Sequence, residues 1–201
     1  MAGLREQKKR LAREALATAA LELFSEKGFE HTTVDEIAAR AGISRRSFFR
    51  YFTSKEEAAF PKQTERLNQF RELLQRYDVR RNGVSAVREA CIAIGRQYMA
   101  ERPERMARQR LVDSSVALRN FEQNADVEME RILVEELAGP GADAARLRQA
   151  RVFAASVMGL VRVALREWFD NGGTGDLEAI GRGAFDWLEH GFRFDTDAAR
   201  G

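Results

Sequence analysis

One cysteine and two histidines are all that the 201-residue sequence holds of those types. Cys91 alone cannot close an internal disulfide or build a cysteine-rich zinc site, which fits a reducing cytosol. On an apolar helical face it reads as a small buried hydrophobe rather than a reactive thiol. His31 and His190 stand at opposite ends of the chain without metal-ligand spacing. No apolar run approaches the roughly 18 residues of a membrane span. The charged start at Leu4 and Arg5 has no apolar signal core behind it. A cytoplasmic protein with no membrane partner, metal or cofactor is therefore expected. Gly172–Gly173–Thr174–Gly175 lacks the Lys-Ser/Thr ending of a phosphate loop and reads as a plain turn. No constellation of catalytic residues stands out anywhere, so an enzyme is not expected.

Charge of one sign is scarce overall, with a net of +2, but it is unevenly placed. Residues 1–60 carry 11 Lys/Arg against 9 Asp/Glu, whereas residues 61–201 carry 22 of each. Between residues 37 and 55 there are Arg40, Arg45, Arg46, Arg50 and Lys55 and no acid. Arg5, Lys8, Lys9, Arg10 and Arg13 face a single Glu6 near the N-terminus. One such run is usually a solvated face; two runs flanking one compact motif look like a footprint for a polyanion.

Strand alternation is absent, and the period present throughout is helical. Leu16, Ala19, Ala20, Leu23 and Phe24 share a face, and Gly28 stops that segment. Thr33 opens a second segment with Glu36 in the capping-box position, and Gly42 ends it. Ser44 caps a third segment through Phe52, and Ser54 caps a fourth with Glu57 in the matching position. Longer helices are expected over 55–78 (kinked or split at Pro61), 84–101, 116–138, 143–170 and 176–192, with Pro103 restarting the chain. Gly139–Pro140–Gly141 and Asn171 to Gly175 are breakers, and residues 195–201 read as a tail. The fold class is all-α: an N-terminal three-helix domain over 1–53, then a larger helical domain over 54–194.

Residues 34–52 have the spacing of a helix-turn-helix. Ala38 is small where two helices approach, Gly42 sits in the turn, and Ile37, Ala41, Ile43, Phe48 and Tyr51 pack inward. That leaves Arg45, Arg46, Ser47, Phe49 and Arg50 on the open face of a helix capped by Ser44. The start of such a helix enters a major groove, where arginine pairs bidentately with guanine O6 and N7. Arg46 and Arg50 are the expected base readers, Thr33 and Lys55 are expected on phosphates, and Ser44, Arg45, Ser47, Phe49 and Tyr51 complete the candidate DNA-binding set.

Residues 10–60 resemble the DNA-binding domain of the tetracycline-repressor (TetR) family. The resemblance lies in Phe24 to Gly28, Thr32–Thr33–Val34 with Ile37–Ala38, Ala41–Gly42–Ile43–Ser44, Tyr51–Phe52, and Ser54–Lys55. It implies a bacterial transcription regulator, a repressor by family default, that binds double-stranded operator DNA as a homodimer. It further implies a small-molecule effector held by the C-terminal domain and dimerisation through the last two helices. Where the family usually has tyrosine, this chain has Phe49, which keeps a ring for a thymine methyl but loses a hydroxyl that commonly reaches a phosphate. The string Ser44 to Phe52 is also similar to a branch containing regulators of mycofactocin gene clusters, some of which answer to long-chain acyl-CoA.

In the C-terminal region Phe70, Leu74, Tyr77, Ile94, Tyr98, Leu111 and Phe121 are candidates for a pocket lining or for ordinary core. Val161, Leu165, Phe185 and Leu188 are candidates for the dimer contact, with Gly181 and Gly183 allowing close helix approach there. About 140 residues of amphipathic helix exceed what dimerisation needs, which favours a ligand sensor over a ligand-independent DNA-binding protein.

Overall fold

A computed structural model describes residues 2–192, so the tail expected at 195–201 lies outside the described residues. These form ten α-helices and no strand: α1 (Ala2–Lys27), α2 (Val34–Arg40), α3 (Arg45–Tyr51), α4 (Lys55–Ala59), α5 (Gln63–Arg76), α6 (Val79–Ala100), α7 (Arg102–Asp113), α8 (Val116–Ala138), α9 (Ala144–Asp170) and α10 (Leu177–His190). No described helix is long and apolar enough to cross a membrane.

The chain divides into two compact units, Met1–Asn68 with Ala107–Ala125, and Gln69–Met106 with Asp126–Gly201. The boundary expected at residues 53/54 therefore falls inside the first unit. The reason is burial. Ala58, Ala59 and Phe60 at the end of α4 join Leu16, Ala20, Leu23, Phe24, Ile37, Phe48 and Phe52 in one core, together with Val112 of α7 and Leu118 of α8. Phe60 also stacks on Phe121 at 5.3 Å between ring centroids, with the Arg108 guanidinium 4.6 Å from the Phe60 centroid.

In the second unit α10 packs on α6 and α9. Tyr98, Ala164, Trp168 and Leu177 form a core there, with Ile94, Leu165 and Phe169 against it. Asp143 and Asp176 cap α9 and α10 by accepting from backbone amides of their first turns. The split expected at Pro61 is observed between α4 and α5. The helix expected from residue 84 is preceded by an extra turn from Val79, separated from it by a kink at Gly83 (φ 58°).

Candidate nucleic-acid interface

The first unit builds the surface around its helix-turn-helix from three satisfied helix starts. Thr33 accepts from the Glu36 amide, and the Glu36 carboxylate accepts from the Thr33 amide at 2.9 Å, completing the box expected from sequence. Gly42 takes φ 66°, which lets the Ile43 amide reach Ala38 O at 2.9 Å and turns the chain into α3. Ser44 accepts from the Ser47 amide at 3.2 Å. At α4 the pattern differs from expectation. Ser54 accepts from the Glu57 amide, but the Glu57 carboxylate reaches past Ser54 to the amide of Thr53 at 2.6 Å.

Three ion pairs hold α2 against α1, one of them Arg40 to Glu22 at 3.6 Å. Nη1 and Nη2 of Arg40 each donate to the Glu26 carboxylate at 2.8 Å, and Lys27 pairs with Glu36. With the Lys27 ammonium and the Thr33 amide and hydroxyl all donating to it, the Glu36 carboxyl is held down to about 2.

This scaffold aims α3. Phe48 and Phe52 are fully buried beneath it, while Arg45, Arg46, Phe49 and Arg50 are exposed and Ser47 and Tyr51 half-buried. Their environments differ. Arg46 has no hydrogen bond or ion pair among the described residues. Arg50 lies 4.9 Å from the Tyr51 ring centroid and donates to its hydroxyl at 3.0 Å. Arg45 donates to Asp35 of α2 at 2.6 Å and lies 5.5 Å from the Phe49 centroid. Asp35 carried no signal in the sequence, because a contact between residues ten apart on two short helices depends on how they cross.

The residues expected on phosphates are otherwise engaged. The Thr33 hydroxyl donates to Glu36 at 2.8 Å. Lys55 donates to Phe29 O at 2.9 Å and Thr32 O at 3.2 Å, over the face of Phe29.

The candidate effector residues do not converge in one place. Leu111 and Phe121 pack on the core of the first unit. In the second unit Phe70, Leu74 and Tyr98 are buried and Tyr77 half-buried, and Ile94 lines a small apolar cleft of about 50 Å³. Cys91 also lines that cleft, and burial pushes its thiol up to about 12. Three residues expected at the dimer contact, Val161, Leu165 and Phe185, line it as well. Phe185 has no surface left for a partner, because α6, α9 and α10 enclose it. Leu188 is half-buried. Gly181 is explained by a neighbour in its own unit: a Cβ there would meet Ile92 Cδ1 at 3.0 Å.

Comparison with known proteins agrees with this geometry. The model of bacterial regulatory proteins of the tetR family matches residues 16–57, and that of the MftR C-terminal domain matches residues 82–193. The HTH-type transcriptional regulator TcmR of Streptomyces glaucescens is 34% identical over 185 residues, covering 89% of this chain and 81% of TcmR. MftR of Mycobacterium tuberculosis, named for regulation of mycofactocin biosynthesis, is 26% identical over 171 residues, covering 85% of this chain and 86% of MftR. Thermus thermophilus FadR, a TetR-family repressor solved with lauroyl-CoA, shares the fold with a TM-score of 0.52 at 23% identity, covering 94% of this chain and 99% of that one. With the helix-turn-helix in place and the C-terminal model matching more than half of its length, the chain belongs to the TetR family: it is a DNA-binding transcriptional regulator and not an enzyme.

Proposed function

We propose that this regulator is a repressor that binds a palindromic operator as a homodimer and is released by a largely apolar effector, an acyl-CoA or another lipophilic molecule. The observation that carries the reading is α3 itself. Capped by Ser44, it presents Arg45 and Arg46 from its first turn and Phe49 and Arg50 from its last to solvent on a three-helix base, the arrangement that fits a major groove.

Dimerisation is supported by apolar surface that the chain leaves open. Val152 and Val163, eleven residues or three turns apart on α9, are 64% and 66% exposed, and Trp187 on α10 is 59% exposed. Gly183, one turn before Trp187, has nothing within 4 Å of a Cβ built on it, which leaves room for a close partner. These residues, with Leu188 at their edge, replace Phe185 as the proposed contact. Helix-turn-helix dimers meet half-sites roughly 34–36 Å apart.

An acyl effector is supported by the lauroyl-CoA complex of the fold relative from Thermus thermophilus. The cleft at Ile94 is far below the roughly 300–1,000 Å³ of an ordinary ligand site. An acyl chain entering there has to part α10 from α6 and α9, so it favours a rearranged state, as release from DNA requires.

Fluorescence anisotropy on the DNA upstream of the protein's own gene, beside a scrambled duplex and at several salt concentrations, tests the reading. Preference of roughly 10³-fold or more that lauroyl-CoA abolishes supports it. Equal, steeply salt-dependent binding to both duplexes at several candidate promoters would sink operator recognition, and specific binding indifferent to acyl-CoA of every length would sink the effector class.

A further inference from the structure

Arg45 is the one arginine of α3 that another helix holds. Its guanidinium donates to Asp35 of α2 at 2.6 Å and lies 5.5 Å from the centroid of Phe49, one turn further along α3. Phe49 is 48% exposed, and its ring meets the fully buried Phe48 edge-on at 5.4 Å and 82°, which anchors it from beneath. The only other acid between residues 31 and 55, Glu36, is taken up by Thr33 and Lys27. The Asp35 carboxylate makes no other hydrogen bond or ion pair among the described residues.

A place in the first turn of α2 accounts for an acid at Asp35, but an exposed ion pair stabilises a fold only weakly, so stability gives little reason for its pairing with Arg45 of α3. Recognition gives one. A guanidinium has five N–H donors in a rigid fork, and the bond to Asp35 uses one nitrogen, Nη1. Donors remain for guanine O6 and N7, and the carboxylate removes the freedom of a long side chain that a base contact would otherwise have to freeze. The same negative charge repels phosphates, which suppresses binding where no guanine is present to meet the fork. Phe49 supplies an apolar ring beside it, which suits the 5-methyl group of thymine.

We propose that Asp35, Arg45 and Phe49 form one reading unit for a guanine with an adjacent thymine, in which Asp35 acts as a specificity-determining positioning residue that aims Arg45. The proposal rests on α3 being the reading helix.

The test is selection of the full-length protein on a randomised duplex pool, followed by base-preference profiles for wild type, Asp35→Asn, Arg45→Lys and Phe49→Ala. Arg45→Lys keeps the charge of an exposed residue and guards against a folding defect at Asp35. Wild type is expected to select guanine beside thymine in each half-site. Asp35→Asn and Arg45→Lys are both expected to lose about tenfold or more of the preference at that same guanine, in line with a lost bidentate contact. Asp35→Asn should also bind a scrambled duplex more tightly than wild type, because a negative charge has gone. Replacing the thymine by deoxyuridine should weaken wild type several-fold and leave Phe49→Ala indifferent. An unchanged guanine preference in Asp35→Asn, or its loss in only one of the two variants, overturns the proposal while leaving operator recognition standing. A wild-type selection with no base preference overturns both.

Discussion

Lys55, the first residue of α4, places its ammonium 4.1 Å from the centroid of the Phe29 ring and donates to the carbonyl oxygens of Phe29 and Thr32. These contacts latch α4 onto the turn that carries the chain from α1 to α2. Phe29 is itself 2% exposed and packs on Phe24 at 5.0 Å between centroids, so the latch reaches into the core.

Lys55→Met is therefore expected to lower the stability of the protein by about 1.5–3 kcal/mol, the scale of hydrogen bonds from a charged donor. Denaturant unfolding followed by circular dichroism reads this directly. Affinity should fall alike for operator and scrambled duplexes, with the slope of log affinity against log salt unchanged. A slope shallower by about one would put Lys55 on a phosphate instead.

The Glu36 carboxyl is held at about 2, below its ordinary 4.5, by bonds from Lys27 and Thr33. A folded value below the unfolded one stabilises the native state above the unfolded value, and that contribution is lost as pH falls through the folded one. Wild type should thus lose melting temperature between pH 4.5 and 2 more steeply than Glu36→Gln. Parallel curves for the two proteins would show that the bridge to α1 contributes nothing in solution.

Gly181 and Gly183 lie two residues apart in α10 and should respond oppositely to alanine. A Cβ at 183 meets nothing within 4 Å, so Gly183→Ala gains the roughly 0.8–1 kcal/mol of helix propensity that alanine holds over glycine. A Cβ at 181 meets Ile92 Cδ1 at 3.0 Å, and Gly181→Ala is expected to melt lower and to recover when combined with Ile92→Val. If position 183 faces a second copy, the same Gly183→Ala that strengthens the helix should weaken the dimer, which sedimentation measures.

Val163→Glu and Trp187→Glu place charge on exposed apolar surface and should yield folded monomers with wild-type helical content. Phe185→Glu should instead unfold the second unit, because that ring is enclosed within it. Dimers that survive both surface charges would move the interface elsewhere.

Much of this was legible in the chain because it is local. Capping at Thr33, Ser44 and Ser54, the left-handed turn at Gly42 and the breaks at Pro61 and Gly83 follow from backbone hydrogen bonding and steric freedom within a few residues. The inward face of α3 followed from helical period, and its fully buried Phe48 agrees. Phe52 looked like a helix end. It is core because the chain leaves α3 extended (φ −138°, ψ 138°), which turns that ring inward.

What the tertiary structure decided is which long-range partner each charged or apolar side chain meets. The family resemblance marked Val161, Leu165 and Phe185 as candidates for the dimer contact, but the sequence could not distinguish residues covered by α6 from residues waiting for a second copy. The arginines of α3 are of one chemical kind in the sequence. Only the crossing of α2 with α3 gives Arg45 the carboxylate of Asp35 and leaves Arg46 unbonded among the described residues. Local rules act through the backbone over one or two turns, whereas these choices depend on how helices distant in sequence cross.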